Sequence, residues 1–118
     1  MLSASELAVY GVDVRAGLAH MDNNEALYAR FLAMFPKDDS VLRMAKALEN
    51  GDAAEAFSCA HALKGLCAQL GIARLASLAG ELCELLRHPQ GDALVTARER
   101  FALLQRAHRQ ALRGIARL

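Results

Sequence analysis

An all-α chain, folded as an antiparallel up-and-down four-helix bundle with an additional N-terminal helical segment, is what this sequence predicts, and three observations carry the prediction. Ala and Leu supply 24 and 20 of the 118 residues, and both are strong helix formers. Trp is absent, Phe and Tyr number only 4 and 2, and Val and Ile are few, so the β-branched and aromatic residues that a sandwich or barrel requires are missing. Helix-breaking residues recur regularly with short connections between the helices, which favours antiparallel packing of sequential helices. At 118 residues the expectation is one domain over residues 1–118. A hydrophobic content of 54% and a net charge of +1 argue against disorder. Apolar runs are only a few residues long, too short to span a bilayer. The opening stretch, MLSASELAVYGVD, has no basic region or long apolar core, so no signal peptide is read from it.

Taken in order, residues 3–9 form a short helix, followed by a turn region, GVDVRAGL. Residues 23–35 carry Leu27, Phe31, Met34 and Phe35 on one helix face, with Asp22 as cap and Pro36 as stop. Residues 38–49 form the next helix, with Val41, Leu42, Ala45 and Leu48 inward, and Asn50-Gly51 supplies its left-handed end. Asp52, with Glu55 three residues on, starts a helix that runs to Leu70 and closes at Gly71. Another spans residues 73–87 and stops at His88-Pro89. Asp92 opens the last, which extends to residue 116. No period-two strand pattern competes.

Three cysteines, Cys59, Cys67 and Cys83, are an odd number without CxxC spacing, which argues against a disulfide framework or a zinc site. They read as small buried hydrophobes in a reducing, cytoplasmic compartment. Charge is uneven along the chain: residues 1–60 carry five Lys/Arg and nine Asp/Glu, and residues 61–118 carry nine and four. Arg98, Arg100, Arg106, Arg109, Arg113 and Arg117 fall in the last stretch against a single acid, Glu99. The plain reading is a solvated helix face with Arg near the negative end of the helix dipole.

The chemistry lies in DAAEAFSCAHALKGLCAQL. On a helical wheel with His61 at the origin, Cys59, Leu63, Leu66, Cys67 and Leu70 fall within about 60° of the opposite side. His61 therefore points to solvent. Phe57, Lys64, Gly65 and Ala68 lie within about 60° of it, and Gln69 at about 80°. Lys64, one turn on, places a cation where it attracts and stabilises a phosphoryl group on the ring. Gly65 costs about 1 kcal/mol relative to Ala in a helix interior, and its use is to clear bulk beside His61. Read alone, Gly65 is equally a helix-packing glycine. Phe57 and Ala68 make the face partly apolar, as a docking surface requires.

The stretch AHALKGLCAQLG resembles the signature of histidine phosphotransfer (HPt) domains, carried by His61, Lys64, Gly65, Gln69, Leu70 and Gly71. GVDVRAGLAHMDNNEALYARFLAMF is similar to the family's opening segment and first helix. LRMAKALENGDAAEAF resembles the helix and capped start ahead of the histidine, and IARLASLAGELCELLR the helix that hairpins back. Residues 10–88 are covered. The resemblance implies a helical bundle in which His61 accepts a phosphoryl group from a receiver-domain aspartyl phosphate, at Nε2, and passes it to another receiver Asp. It implies Lys64 as electrostatic stabiliser, Gly65 as the access point, and Phe57, Ala68 and Gln69 as binding residues. There is no P-loop, so no kinase activity toward ATP is expected. No cofactor or metal is expected on this chain, and Mg²⁺ is expected on the receiver. The implied partners are receiver domains of response regulators or hybrid sensor kinases, for a monomer that binds neither nucleic acid nor membrane. The rival readings are a non-catalytic helical adaptor, a nucleic-acid-binding bundle using the Arg-rich last helix, and a metal or haem bundle. The last is disfavoured because His20, His61, His88 and His108 lie on different segments without an i, i+4 pair.

Overall fold

The computed structural model describes residues 3–118. Helices α1 (Ala4–Val9), α2 (Val14–Ala19) and α3 (Glu25–Met34) lead, through a short 3₁₀ turn at Phe35–Lys37, to four more: α4 (Ser40–Glu49), α5 (Ala53–Leu70), α6 (Ala73–Arg87) and α7 (Ala93–Ala116). No strand occurs among the described residues. The four later helices pack in a ring, α4 on α5, α5 on α6, α6 on α7 and α7 on α4. This is the expected up-and-down bundle. The N-terminal helices cover one end of it: α2 and α3 lie against α5, and α1 against α2 and α7.

The boundaries of α5, α6 and α7 match the sequence reading, and their ends show why. Asp52 Oδ1 accepts the Glu55 amide at 3.1 Å, satisfying one of the free donors of the first turn. Gly71 adopts φ 81° at the other end, a left-handed conformation that L side chains rarely adopt. The buried stripe of α5 is Ala56, Cys59, Ala60, Leu63, Cys67 and Leu70, and the mixture of small and large apolar side chains lets neighbouring helices approach closely. All three cysteines are free and buried. Burial pushes the Cys67 thiol up to about 12 and the Cys59 thiol up to about 11, with the Cys59–Glu55 hydrogen bond adding to it.

The N-terminal third departs from the sequence reading in four places. The segment GVDVRAGL is not only a turn: it contains α2, capped by Asp13, whose Oδ1 accepts the Ala16 amide at 3.1 Å. Asp22 does not cap α3. Asp22 and Asn23 both take positive φ, 52° and 59°, forming the bend after α2, and Asn24 caps instead through its side-chain oxygen on the Leu27 amide. Asp and Asn tolerate this region better than other side chains, so the cap moves two residues on. The inward face of α3 is Tyr28, Leu32 and then Phe35, while Phe31 is 40% and Met34 58% exposed. The Tyr28 hydroxyl donates to the Leu70 carbonyl at 2.8 Å, a buried bond that rolls the helix by one residue against the hydrophobic count. In α4, Val41, Met44, Ala47 and Leu48 are buried, whereas Leu42, expected inward, is 75% exposed.

Candidate functional site

The bundle holds α5 with its apolar stripe inward, and the opposite side is left to solvent. His61, Lys64, Gly65, Ala68 and Gln69 are all exposed, and Phe57 is half-buried. The wheel's orientation of His61 therefore matches the coordinates. The Phe57 ring lies 6.0 Å from the His61 ring, centroid to centroid. A Cβ built on Gly65 meets nothing within 4 Å. The glycine one turn from the imidazole thus opens onto free space rather than onto a neighbouring helix. This removes the alternative in which Gly65 is a packing glycine.

Helix α6 supplies two members of the site that sequence reasoning missed. The Arg87 guanidinium stands 5.2 Å from the centroid of the Phe57 ring, within cation–π reach, and its Nη2 donates to Glu84 at 3.3 Å. Gly80 sits under Lys64: a Cβ there would lie 3.7 Å from the lysine Cε and 3.8 Å from its Cδ. The lysine stem is laid along the seam between α5 and α6, against Gly80. Burial raises the Cys83 thiol, and the charges of Lys64 and Arg87 pull it back down in part. The result is an imidazole with Lys64 one turn ahead of it and the Phe57 ring one turn behind, that ring lying under the Arg87 guanidinium.

A register signal would have found both residues. Helices α5 and α6 form a tight hairpin about Ile72, and the facing pairs are equidistant from it in sequence. Phe57 and Arg87 lie the same number of residues either side of Ile72, and so do Lys64 and Gly80. An antiparallel hairpin with a minimal turn produces this symmetry.

The six expected residues are not all brought together. His61, Phe57, Lys64 and Gly65 occupy one turn either side of the imidazole. Ala68 and Gln69 are roughly 10–12 Å farther along the axis, at 1.5 Å rise per residue. Gln69 is also engaged with the N-terminal helices, its carbonyl oxygen lying 3.2 Å from His20 Nδ1. Both belong to the border of the face, too distant for contact with a group bound to the imidazole. No cluster of three or more His, Cys, Asp or Glu side chains with metal-site geometry occurs among the described residues, and no helix among them is long and apolar enough to cross a membrane.

A family model described as the Hpt domain matches residues 26–114. No curated protein and no solved structure matches the chain. The matched span begins within α3, takes in α4, α5 with its His61 face and α6, and ends in the last turn of α7.

Proposed function

We propose, on the premise that this chain belongs to the Hpt domain family, the phosphotransfer modules of two-component phosphorelays, that His61 is its phosphoryl acceptor. The observation that carries the reading is the arrangement around one exposed imidazole: Lys64 and Gly65 one turn ahead, Phe57 one turn behind, and open space above Gly65. The unprotonated ring nitrogen, Nε2, attacks phosphorus of a receiver's aspartyl phosphate. A P–N bond forms, the P–O bond to the aspartyl carboxyl breaks, and the carboxylate leaves with its electron pair. The reverse sequence on a second receiver regenerates the free imidazole.

Each neighbour has a physical task. The Lys64 ammonium, tethered along the α5–α6 seam, offsets negative charge on the phosphoryl oxygens as they pass between partners. Arg87 stands over the Phe57 ring, one turn behind the imidazole, and adds a positive charge to that end of the docking face. Gly65 keeps the approach open, and Phe57 offers apolar contact area to the docking receiver. The receiver's own carboxylates hold Mg²⁺, and the chain operates in the cytoplasm as a carrier without kinase activity toward ATP.

The test is incubation with a phosphorylated receiver, followed by recovery of acid-labile, base-stable label on this chain. His61→Gln is expected to take up none while keeping its helix content, because an exposed side chain away from the core changes stability by only about 0.5 kcal/mol. Label on His61→Gln, or unfolding of that variant, would refute the assignment. An unlabelled wild-type chain that still binds the receiver would favour the adaptor reading.

A further inference from the structure

Helices α6 and α7 carry seven arginines and Arg117 caps the end of α7, and these eight divide into two sets. Arg87 binds Glu84, Arg98 donates to the Leu48 carbonyl, Arg100 pairs with Glu81, and Arg117 donates to the Tyr10 hydroxyl. The other four are Arg74, Arg106, Arg109 and Arg113. Among the described residues, none of these four has a carboxylate within ion-pair distance. All four line one groove of about 460 Å³, floored by Leu103 and Ala107 and edged by Gln110. No acidic side chain lines it.

Helix stability does not account for this placement. Arg113 lies in the last turn of α7, where a cation suits the dipole. Arg106 and Arg109 lie farther from that end than the dipole effect reaches. Arg109 and Arg113 are like charges at i, i+4, and Arg106 and Arg109 at i, i+3, both unfavourable spacings. Arg74 is the second residue of α6, at the positive end of its helix, in a first turn that holds no acid. Two helices thus place unpaired cations at unfavourable positions, and those positions converge.

We propose that this groove binds a compact polyphosphate anion, the phosphate chain of a nucleotide or a free oligophosphate. Guanidinium groups bind phosphate oxygens in bidentate pairs, and Arg106 to Arg113 span about 10 Å of helix. The cavity is on the scale of small-ligand sites. No aromatic side chain lines it, so it lacks the stacking platforms by which single-stranded nucleic acids are held. The groove is built from α6 and α7, whereas His61 lies on the outward face of α5, the helix across the ring from α7. It is therefore a second site, independent of the phosphoryl acceptor.

Calorimetric titration of the full chain with sodium tripolyphosphate tests the proposal. Saturable one-to-one binding is expected, about tenfold weaker in Arg74→Ala and in an Arg106→Ala/Arg109→Ala variant. Circular dichroism checks that these variants, altered only at exposed positions, remain folded. Arg100→Ala and Lys64→Ala are expected to bind as the parent does. ATP is expected to match tripolyphosphate, since nothing in the groove stacks on a base; markedly tighter ATP binding would place the nucleoside elsewhere and overturn the phosphate-only site. Absence of saturable heat overturns the proposal. So does equal weakening by Arg100→Ala, which would mean a diffuse field, or by Lys64→Ala, which would place the anion at the His61 face. Tighter binding of a single-stranded oligonucleotide than of tripolyphosphate would replace it with a nucleic-acid surface.

Discussion

Two glycines, Gly65 in α5 and Gly17 in α2, sit inside helices where almost any other residue would be the better helix former, and their surroundings are opposite. A Cβ on Gly17 would collide with the Tyr28 ring and come within 2.6 Å of the Leu70 carbonyl oxygen, whereas a Cβ on Gly65 would meet nothing within 4 Å. Gly17 exists so that α2 can lie flat on the end of α5. Gly65 exists so that nothing lies on α5 beside His61. The same residue type marks a closed contact at one end of the helix and a held-open surface in its middle. The difference teaches that a helical glycine is interpreted by its neighbours, and that stability and function respond oppositely at the two positions.

The sharpest way to break this comparison is to fill both spaces. Gly65→Gln places a side chain over the approach to the imidazole, and transfer from a phosphorylated receiver is expected to fall by about a hundredfold or more, equivalent to roughly 3 kcal/mol in the barrier. The same change removes a poor helix former, so the variant should be more stable by some tenths of a kcal/mol, read as a higher melting temperature. More stable and less active is a combination that partial unfolding cannot mimic. An unimpaired transfer rate would end the access argument. Gly17→Ala is expected to do the reverse. Tyr28 and the α2 backbone must move apart, at a cost of about 2–3 kcal/mol on overpacking scales, read as a lowered denaturant midpoint. The transfer rate of the folded fraction should stay near that of the parent. Equal stability would show that Tyr28 yields without loss, and the close contact would then carry no energetic weight.

Lys64→Ala probes the open surface without filling it. The nucleophile remains, so transfer should slow by about tenfold rather than vanish, as one electrostatic contact worth about 1.4 kcal/mol is lost. Single-turnover transfer at saturating receiver separates this from weakened docking. A rate unchanged from the parent would remove Lys64 from the chemistry.

The contrast also explains what could be read from residues alone. The His61 face was legible because all its α5 members lie on one helix, and a wheel places residues of one helix correctly. Asp52 and Gly71 mark that helix's ends with side-chain and backbone chemistry that acts locally. Gly17 misled for the complementary reason. A glycine amid Val14, Arg15 and Leu18 reads as a turn, and only the Tyr28 ring and the Leu70 carbonyl, both from other helices, explain it. Tyr28 also turned α3 away from its expected face, because a hydroxyl bonded to the Leu70 carbonyl outweighed a hydrophobic count that favoured Phe31 and Met34. Arg87 and Gly80 were hidden in the same way: they join the site across an interhelical seam, where spacing along one helix says nothing. Local rules located what one segment determines, and tertiary partners determined the remainder.

Phe57 lies where the two kinds of environment meet, half-buried against the core yet beneath Arg87 and beside His61, and it gives the smallest expected effect. Phe57→Ala removes apolar area from the docking face and the ring under the guanidinium, an exposed cation–π contact of about 0.5–1 kcal/mol. Receiver affinity should weaken by only about three- to fivefold, in line with that energy. The transfer rate at saturating receiver should not change, since Phe57 donates nothing to the phosphoryl group. Part of any change in melting comes from lost packing against the core, so the stability reading alone does not assign a role. Phe57→Leu resolves this. It restores most of the apolar area without an aromatic face for Arg87. If contact area is what the receiver uses, the leucine variant recovers the parent's affinity. If it stays as weak as Phe57→Ala, the ring acts by holding Arg87 in place on the docking face, and that face is then shaped by α6 as much as by α5.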